Sequence, residues 1–178
     1  MIYSSKKKFS YSTIILITQF LSMFNFNLLP KSANNKFSGN KIALWGFILF
    51  TALMTWRSII HMFFEEYGFH DIANFKILSG DPDPNPIIYR FFSLWGLEEL
   101  IICILCWIVI FRYKSLIPLM YVLWIFEWAV RLFYYPIFEK NLDPNLYTTG
   151  PTPGVEGAPY ALAILVALFL LSIKKSSK

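Results

Sequence analysis

The sequence predicts an all-α membrane protein, in which an N-terminal helix is followed by four transmembrane helices that form an antiparallel bundle. The chain of 178 residues is 56% apolar and only 15% charged, and its mean hydropathy is +0.51. Soluble domains are nearer to half apolar and a quarter charged. A crossing takes about 20 apolar residues, because the hydrocarbon core is about 30 Å thick and a helix rises about 1.5 Å per residue. Four stretches are interpreted as crossings: Ile42–Phe64, Tyr89–Phe111, Ser115–Ile137 and Pro159–Ile173.

Most basic residues lie in different parts of the chain from the acidic residues. All eleven acidic residues lie in the crossings or in loops 65–88 and 138–158, whereas eleven of the sixteen Lys and Arg flank the other helix ends. By the positive-inside rule, both termini are then cytoplasmic and the two loops lie outside, as in a prokaryotic inner (plasma) membrane. The net charge of +5 is therefore explained without nucleic acid as a partner. The eleven flanking residues are Lys6, Lys7, Lys8, Lys31, Lys36, Lys41, Arg112, Lys114, Lys174, Lys175 and Lys178.

The N-terminal segment Phe9–Leu29 follows Lys6–Lys8 like a signal anchor, but lysines bracket it on both sides. We expect a helix that lies in the cytoplasmic interface of the bilayer. A fifth crossing and a cleaved signal peptide are the alternatives, and the run Lys31-Ser32-Ala33 is a poor cleavage site. The chain then divides into a basic N-terminal helix and linker (1–41), a transmembrane domain (42–173) and a basic cytoplasmic tail (174–178).

Ionisable side chains inside the crossings mark the candidate site, because a charge at the bilayer centre costs at least about 2.5–3.5 kcal/mol without a partner or water. In the first crossing, Arg57, His61 and Glu65 are spaced i, i+4, i+8 and form one polar ladder on a helix. In the third crossing, Glu127 and Arg131 are again spaced i, i+4. The spacing predicts charged faces that meet inside the bundle.

The second crossing contains two adjacent acids, Glu98 and Glu99, which point about 100° apart on a helix and cannot share a face. Glu99 shares its side with the small residues Gly96, Cys103 and Cys106, which favour close helix contact. We therefore expect Glu99 to face inward. The two cysteines are interpreted as structural, since both lie in an apolar helix and no loop contains another for a disulfide framework.

The inward residues Arg57, Glu99, Glu127 and Arg131 allow two interpretations. Charge-assisted hydrogen bonds between them neutralise the cluster, which then serves to hold the helices together. Alternatively, the cluster is a ligand-binding or proton-handling site open to the outer side, where His61 moves protons near neutral pH.

A metal site at His61, Glu65 and His70 is a weaker alternative, because imidazole and carboxylate suit iron, zinc or manganese. Acids in loops are more often simply solvated, and two histidines without an established third ligand do not define a site. A haem held by both histidines is weaker still, since they lie on one short stretch of chain. The sequence identifies no cofactor.

Four short motifs carry a resemblance: Arg57-x3-His61, Trp95-Gly96-Leu97, the turn Arg112–Pro118, and Glu127-x3-Arg131. They resemble small uncharacterised four-helix membrane proteins of the DoxX-like group, over about residues 42–173. The resemblance implies a four-helix bundle. It also implies an accessory or redox-associated membrane subunit, because some members look linked to quinone chemistry.

Three functional hypotheses follow. The first is a small, non-enzymatic integral membrane protein, an accessory or structural subunit of a larger membrane assembly, with a structural Arg/Glu/His network. The second is a redox-associated protein that binds a quinone-like or lipid ligand in an outward-facing pocket near His61, where Arg57 and Arg131 orient the ligand. The third is a proton-coupled transporter that uses Glu99 and Glu127, which the lack of discontinuous helices and of pseudo-symmetry disfavours.

Overall fold

A computed structural model describes residues 28–138 and 142–174 of the protein. Nearly all of the predicted N-terminal helix Phe9–Leu29, and most of the predicted tail 174–178, therefore lie outside the described residues. The regular structure within the described ranges is helical, apart from one isolated β-bridge between loops. The principal helices are α1 (Lys41–Phe63), α2 (Asn85–Arg112), α3 (Ile117–Ala129) and α4 (Ala158–Ile173).

Three helical segments are long and apolar enough to cross a membrane. They are α1 with 23 residues, α2 with 28, and the 24-residue helical run Lys114–Ile137 that contains α3. Helix α4 is equally apolar but has 16 residues, which is short of the about 20 that a perpendicular crossing needs. The predicted all-helical fold is confirmed for the described residues, and three helical segments have the length and apolarity of membrane spans.

The helices alternate in direction, so their ends form two layers. The basic end contains Lys41, Arg112 and Lys174, at the start of α1, the end of α2 and just past the end of α4. There the Asn40 side chain accepts from the Ile42 backbone N–H, 2.8 Å away, and caps α1. The Asn40 N–H donates to the carbonyl oxygen of Leu171 over 3.0 Å, which fixes the start of α1 against the end of α4.

The opposite end, called the loop end, contains the connections α1–α2 and α3–α4. These connections contact each other through an antiparallel bridge between Phe75 and Thr148. The Lys76 N–H donates to the carbonyl oxygen of Tyr147 over 2.9 Å, and the Thr149 N–H donates to that of Asn74 over 2.8 Å. The two helical hairpins are thus joined through their loops as well as through their helices.

Side-by-side packing pairs α1 with α2 and α3 with α4, and α1 also packs on α4. Helices α2 and α3 are joined by the short connection Tyr113–Leu116. They nevertheless contact each other little along their length. A close approach of α2 to α1 explains the difference: a Cβ placed on Gly96 would lie 2.6 Å from the Met62 nitrogen and 2.7 Å from the His61 Cβ.

The apolar core contains buried residues of all four helices, and Phe47 of α1 meets Tyr121 of α3 near its basic end. Phe47 and Tyr121 are completely buried there, with ring centroids 5.1 Å apart in an edge-to-face arrangement. The Tyr121 hydroxyl donates to the carbonyl oxygen of Ala43 over 2.6 Å, so its polar atom is satisfied. Large apolar side chains elsewhere on the helices are exposed, as a lipid-facing surface requires.

Two irregularities shape the helices near the loop end. Helix α1 ends at Phe63, and Phe64 adopts φ −134° and ψ 48° before a new helical turn begins at Glu65. Helix α3 widens into a π-helical turn at Val130–Tyr134 before Pro136. Proline has no N–H and its ring displaces the carbonyl four residues earlier, which accounts for a disturbed helix at this point.

Gly96→Ala is expected to destabilise the protein, because its new methyl group would collide with the backbone of α1 at Met62. Overpacking of this kind costs about 1–3 kcal/mol, and thermal unfolding in detergent measures it. Gly154→Ala is the matched control, since a Cβ there has no neighbour within 4 Å. Equal melting temperatures for the two variants would contradict the close α1–α2 contact.

Candidate functional site

Four ionisable side chains from three helical elements meet between α1, α2 and α3, and we call them the charge cluster: Arg57, Glu99, Glu127 and Arg131. Oε1 of Glu99 accepts from Nη1 of Arg57 over 2.8 Å and from Nη2 of Arg131 over 2.9 Å. Arg131 also donates to Oε1 of Glu127, which lies one turn earlier. A single carboxylate oxygen therefore joins α1 to the π-helical turn that follows α3.

The charge cluster contains two arginines and two glutamates, so its formal charges cancel. The Glu99 side chain retains 4% of its exposure, whereas Arg57 retains 18%, Arg131 17% and Glu127 28%. The acid at the centre is thus enclosed by its partners, and the cluster is partly open at Glu127. Buried ion pairs need such multiple hydrogen bonds to offset the cost of removing both charges from water.

Aromatic rings enclose the two guanidinium groups. The Arg57 Cζ atom lies 4.9 Å from the centroid of the Trp95 ring, and that of Arg131 lies 4.8 Å from it. Arg131 also lies 5.4 Å from the ring of Trp128. The negative face of an indole attracts a cation at these distances. Trp95 therefore supports both arginines in an environment without bulk water.

His61 borders the charge cluster without joining it. Its ring lies 4.4 Å from that of Phe92 and 4.7 Å from that of Trp95, centroid to centroid. The Nδ1 atom lies 3.7 Å from Oε2 of Glu99, which is beyond hydrogen-bond distance. His61 is buried and its Nδ1 has no hydrogen-bond partner in the described residues.

Several other polar atoms around the cluster are also buried without a hydrogen-bond partner in the described part of the chain: Oε2 of Glu99, Oε2 of Glu127 and Nε1 of Trp128. An unsatisfied buried polar group costs about 1–3 kcal/mol. The two carboxylate oxygens are acceptors. A water or ligand group that satisfied them would have to donate hydrogen bonds.

The structure brings some of the predicted site residues together and separates others from them. Arg57, Glu99, Glu127 and Arg131 meet as their helical spacing predicts, and Glu99 is buried whereas Glu98 is exposed. The predicted ladder from Arg57 to Glu65 is wrong beyond His61, because the break at Phe64 separates Glu65 from α1. Whether any of these residues binds a ligand or moves protons stays a prediction.

Trp95 and Trp128 are not among the site residues that the sequence predicts. Helical spacing could have identified them, because Trp95 lies one turn before Glu99 and Trp128 lies one turn before Arg131, on the same helix faces. Arg131, which approaches the same Trp95 ring, lies in the π-helical turn Val130–Tyr134, which the sequence pattern did not predict.

The metal alternative at His61, Glu65 and His70 is not supported by the geometry. Nδ1 of His70 lies 2.8 Å from the carbonyl oxygen of Phe75, and Nε2 lies 2.6 Å from the Tyr89 hydroxyl. A carbonyl only accepts, so Nδ1 is the protonated nitrogen that donates to it. Both His70 nitrogens are therefore engaged, and the described residues contain no group of three His, Cys, Asp or Glu placed to hold a metal ion.

Cys103 and Cys106 are completely buried as free thiols on the side of α2 that contains Glu99. Ser58 of α1 lies 3.9 Å from the Cys103 sulfur and donates to the carbonyl oxygen of Met54 over 2.7 Å. These contacts fit the predicted packing role for small residues between α1 and α2.

Two surface cavities lie away from the charge cluster. One of about 420 Å³ is near the loop end, and one of about 210 Å³ is at the basic end. Neither is lined by His61 or by a member of the charge cluster. The lining residues are Glu65, Pro86, Tyr89, Arg90, Ser93 and Leu94 in the first, and Pro30, Asn34, Lys36, Ser38, Ser115, Pro118 and Ser172 in the second.

Glu99→Gln is expected to lower the free energy of unfolding by about 3–5 kcal/mol, because it leaves two buried guanidinium groups without their shared countercharge. Chemical or thermal unfolding in detergent measures the change. Glu98→Gln is the control, since this neighbouring acid is exposed and makes no contact with the cluster's arginines. Similar stabilities for the two variants would contradict the central place of Glu99.

Comparison with protein families, with curated proteins and with solved structures found no match to the chain. The resemblance to the DoxX-like group therefore stays a prediction that rests on the four short motifs alone.

Proposed function

We propose that the protein is a small integral membrane subunit that works as an accessory or structural component of a larger membrane assembly. The observation that supports this best is the shared contact of Arg57 and Arg131 with one oxygen of Glu99. Removing one partner of such a buried ion pair is strongly destabilising, because it leaves an uncompensated charge, so the cluster holds the helices in one arrangement.

The position of the cluster supports a structural role. Helices α2 and α3 contact each other little, and the ion pair of Arg131 with Glu99 connects them where apolar packing is sparse. Arg57 of α1 donates to the same carboxylate, so the Glu99 side chain connects three helical elements. Removing Glu99 or Arg131 would separate α3 from the α1–α2 pair near the loop end.

We further propose that α4 completes a four-helix transmembrane bundle, with the basic end in the cytoplasm of a prokaryotic cell. Helix α4 packs on both α1 and α3, and its 16 residues correspond to about 24 Å of rise. The lysines of the flanking segments support the orientation, because basic residues are retained on the cytoplasmic side.

A second candidate function, binding of a quinone-like or lipid ligand beside His61, is favoured by one observation. Nδ1 of His61 and the Oε2 atoms of Glu99 and Glu127 are buried without partners. Two of these atoms are carboxylate acceptors, so the ligand chemistry they favour is a hydroxyl donor, such as that of a reduced benzoquinol. An oxidised quinone offers only acceptors and fits them less well.

The proposed function predicts that the tagged protein, extracted from its own membranes in mild detergent, has a native mass well above the 20.8 kDa of one chain plus micelle. Native mass spectrometry should find other membrane proteins at a fixed ratio. A chain that is isolated alone, or only with copies of itself, would refute the accessory role.

The two candidates differ in the expected effect of His61→Ala. If the site binds a ligand, a soluble short-chain benzoquinol raises the melting temperature of the unmodified protein but not that of His61→Ala. If the cluster is only structural, the benzoquinol shifts neither protein, while Glu127→Ala lowers stability through the loss of its contact with Arg131. Thermal shift assays with and without the benzoquinol decide between the two.

A further inference from the structure

We propose that one face of α2 packs against a transmembrane helix of another protein, and that this helix presents a lysine or arginine at the depth of Glu98. The inference rests on the proposed function and names the kind of partner that the assembly provides. We call this face the α2 seam. Its members are Ile87, Phe91, Leu94, Glu98, Ile101, Leu105, Ile108 and Arg112.

Glu98 lies deep in the longest apolar helix of the described chain. It is 14 residues from Arg112 at the basic end, which corresponds to about 21 Å along the helix axis. The hydrocarbon core is about 30 Å thick, so Glu98 lies well inside it. The glutamate side chain is too short to reach either interface from that depth.

Glu98 is exposed on the surface of the described chain and forms no ion pair or hydrogen bond with any described residue. In contrast, the carboxylate of the neighbouring residue Glu99 is paired with two arginines. Charged residues on the lipid side of a transmembrane helix are rare and are usually paired with one another or with polar groups. The unpaired acid at this depth therefore points to a partner outside the described residues, which we assign to a second membrane protein.

The spacing along the α2 seam fits a helix as that partner. Its members alternate by three and four residues from Ile87 to Arg112, and all of them are exposed. An alternation of three and four residues keeps one stripe of a helix facing a second helix, as in left-handed helix pairs of membranes and coiled coils. One polar residue within such an apolar stripe specifies which helix can pair with it.

A second copy of this chain does not supply the missing cation. Two symmetric α2 seams would place Glu98 opposite Glu98, where like charges repel. Arg57 and Arg131 are engaged by Glu99, and Arg90 lies eight residues from Glu98, about 12 Å nearer the loop end. In the described residues, no other lysine or arginine lies within the apolar length of the helices near the depth of Glu98.

Site-specific photocrosslinking in the cells that normally express the chain tests the proposal. A benzophenone side chain replaces Leu94 or Leu105 on the α2 seam, or Ile164 on α4 as the control. All three residues are exposed, but Ile164 lies on a helix that packs on α1 and α3 and not on α2. We expect the two seam positions to yield an adduct with one membrane protein, and Ile164 to yield about tenfold less, since most of its neighbours are lipid.

A charge exchange then tests Glu98 itself. Glu98→Lys should lower the adduct yield about tenfold or more, because like charges facing each other disfavour association strongly. Replacing the basic residue of the crosslinked helix by glutamate in the same cells should restore the yield. Glu98→Lys leaves the charge cluster of the monomer intact, so the melting temperature of the purified protein should change little.

The proposal is overturned by adducts only with copies of this chain, by equal yields at Ile164, by the absence of adducts, or by yields that Glu98→Lys does not change. Its failure is distinguishable from that of the proposed function. A chain that is isolated in a stoichiometric assembly but gives no seam adduct is an accessory subunit with a different interface.

Discussion

A single carboxylate oxygen in the interior of the helical domain accepts hydrogen bonds from two arginines on different elements. Oε1 of Glu99 lies 2.8 Å from Arg57 and 2.9 Å from Arg131. In a membrane there is no bulk water to solvate either guanidinium group. Near the loop end this contact ties the segment that follows α3 to α1 and α2, and the face of Trp95 contacts both cations where α2 and α3 pack sparsely.

Two adjacent acids on α2 illustrate how position decides the role of a side chain. Glu99 faces α1 across the same side as Gly96, whose missing side chain permits backbone contact at Met62. Glu98 points away from that contact and is exposed. The first acid has its partners within the chain, and the second has none in the described residues. The proposed structural role of the cluster and the proposed partner at the α2 seam both follow from one helix presenting two faces.

Much of this arrangement was predictable from helical spacing. The i, i+4 pair Glu127–Arg131, and the choice of Glu99 over Glu98, follow from geometry and from the small residues near Glu99. The end of α1 at Phe63 did not follow, because no proline or glycine marks it. The π-helical turn was not predicted either, although Pro136 marks a disturbed helix at this point. The sparse contact between α2 and α3 depends on tertiary packing, which helical periodicity does not encode.

The most direct test of the account is a double-mutant cycle on Glu99→Gln and Arg131→Gln, measured by unfolding in detergent. If the carboxylate and the guanidinium group stabilise each other, the double variant loses less stability than the sum of the two single losses, with a coupling energy of about 0.5–3 kcal/mol. Losses that simply add would show that the two groups do not interact, and would contradict the central claim.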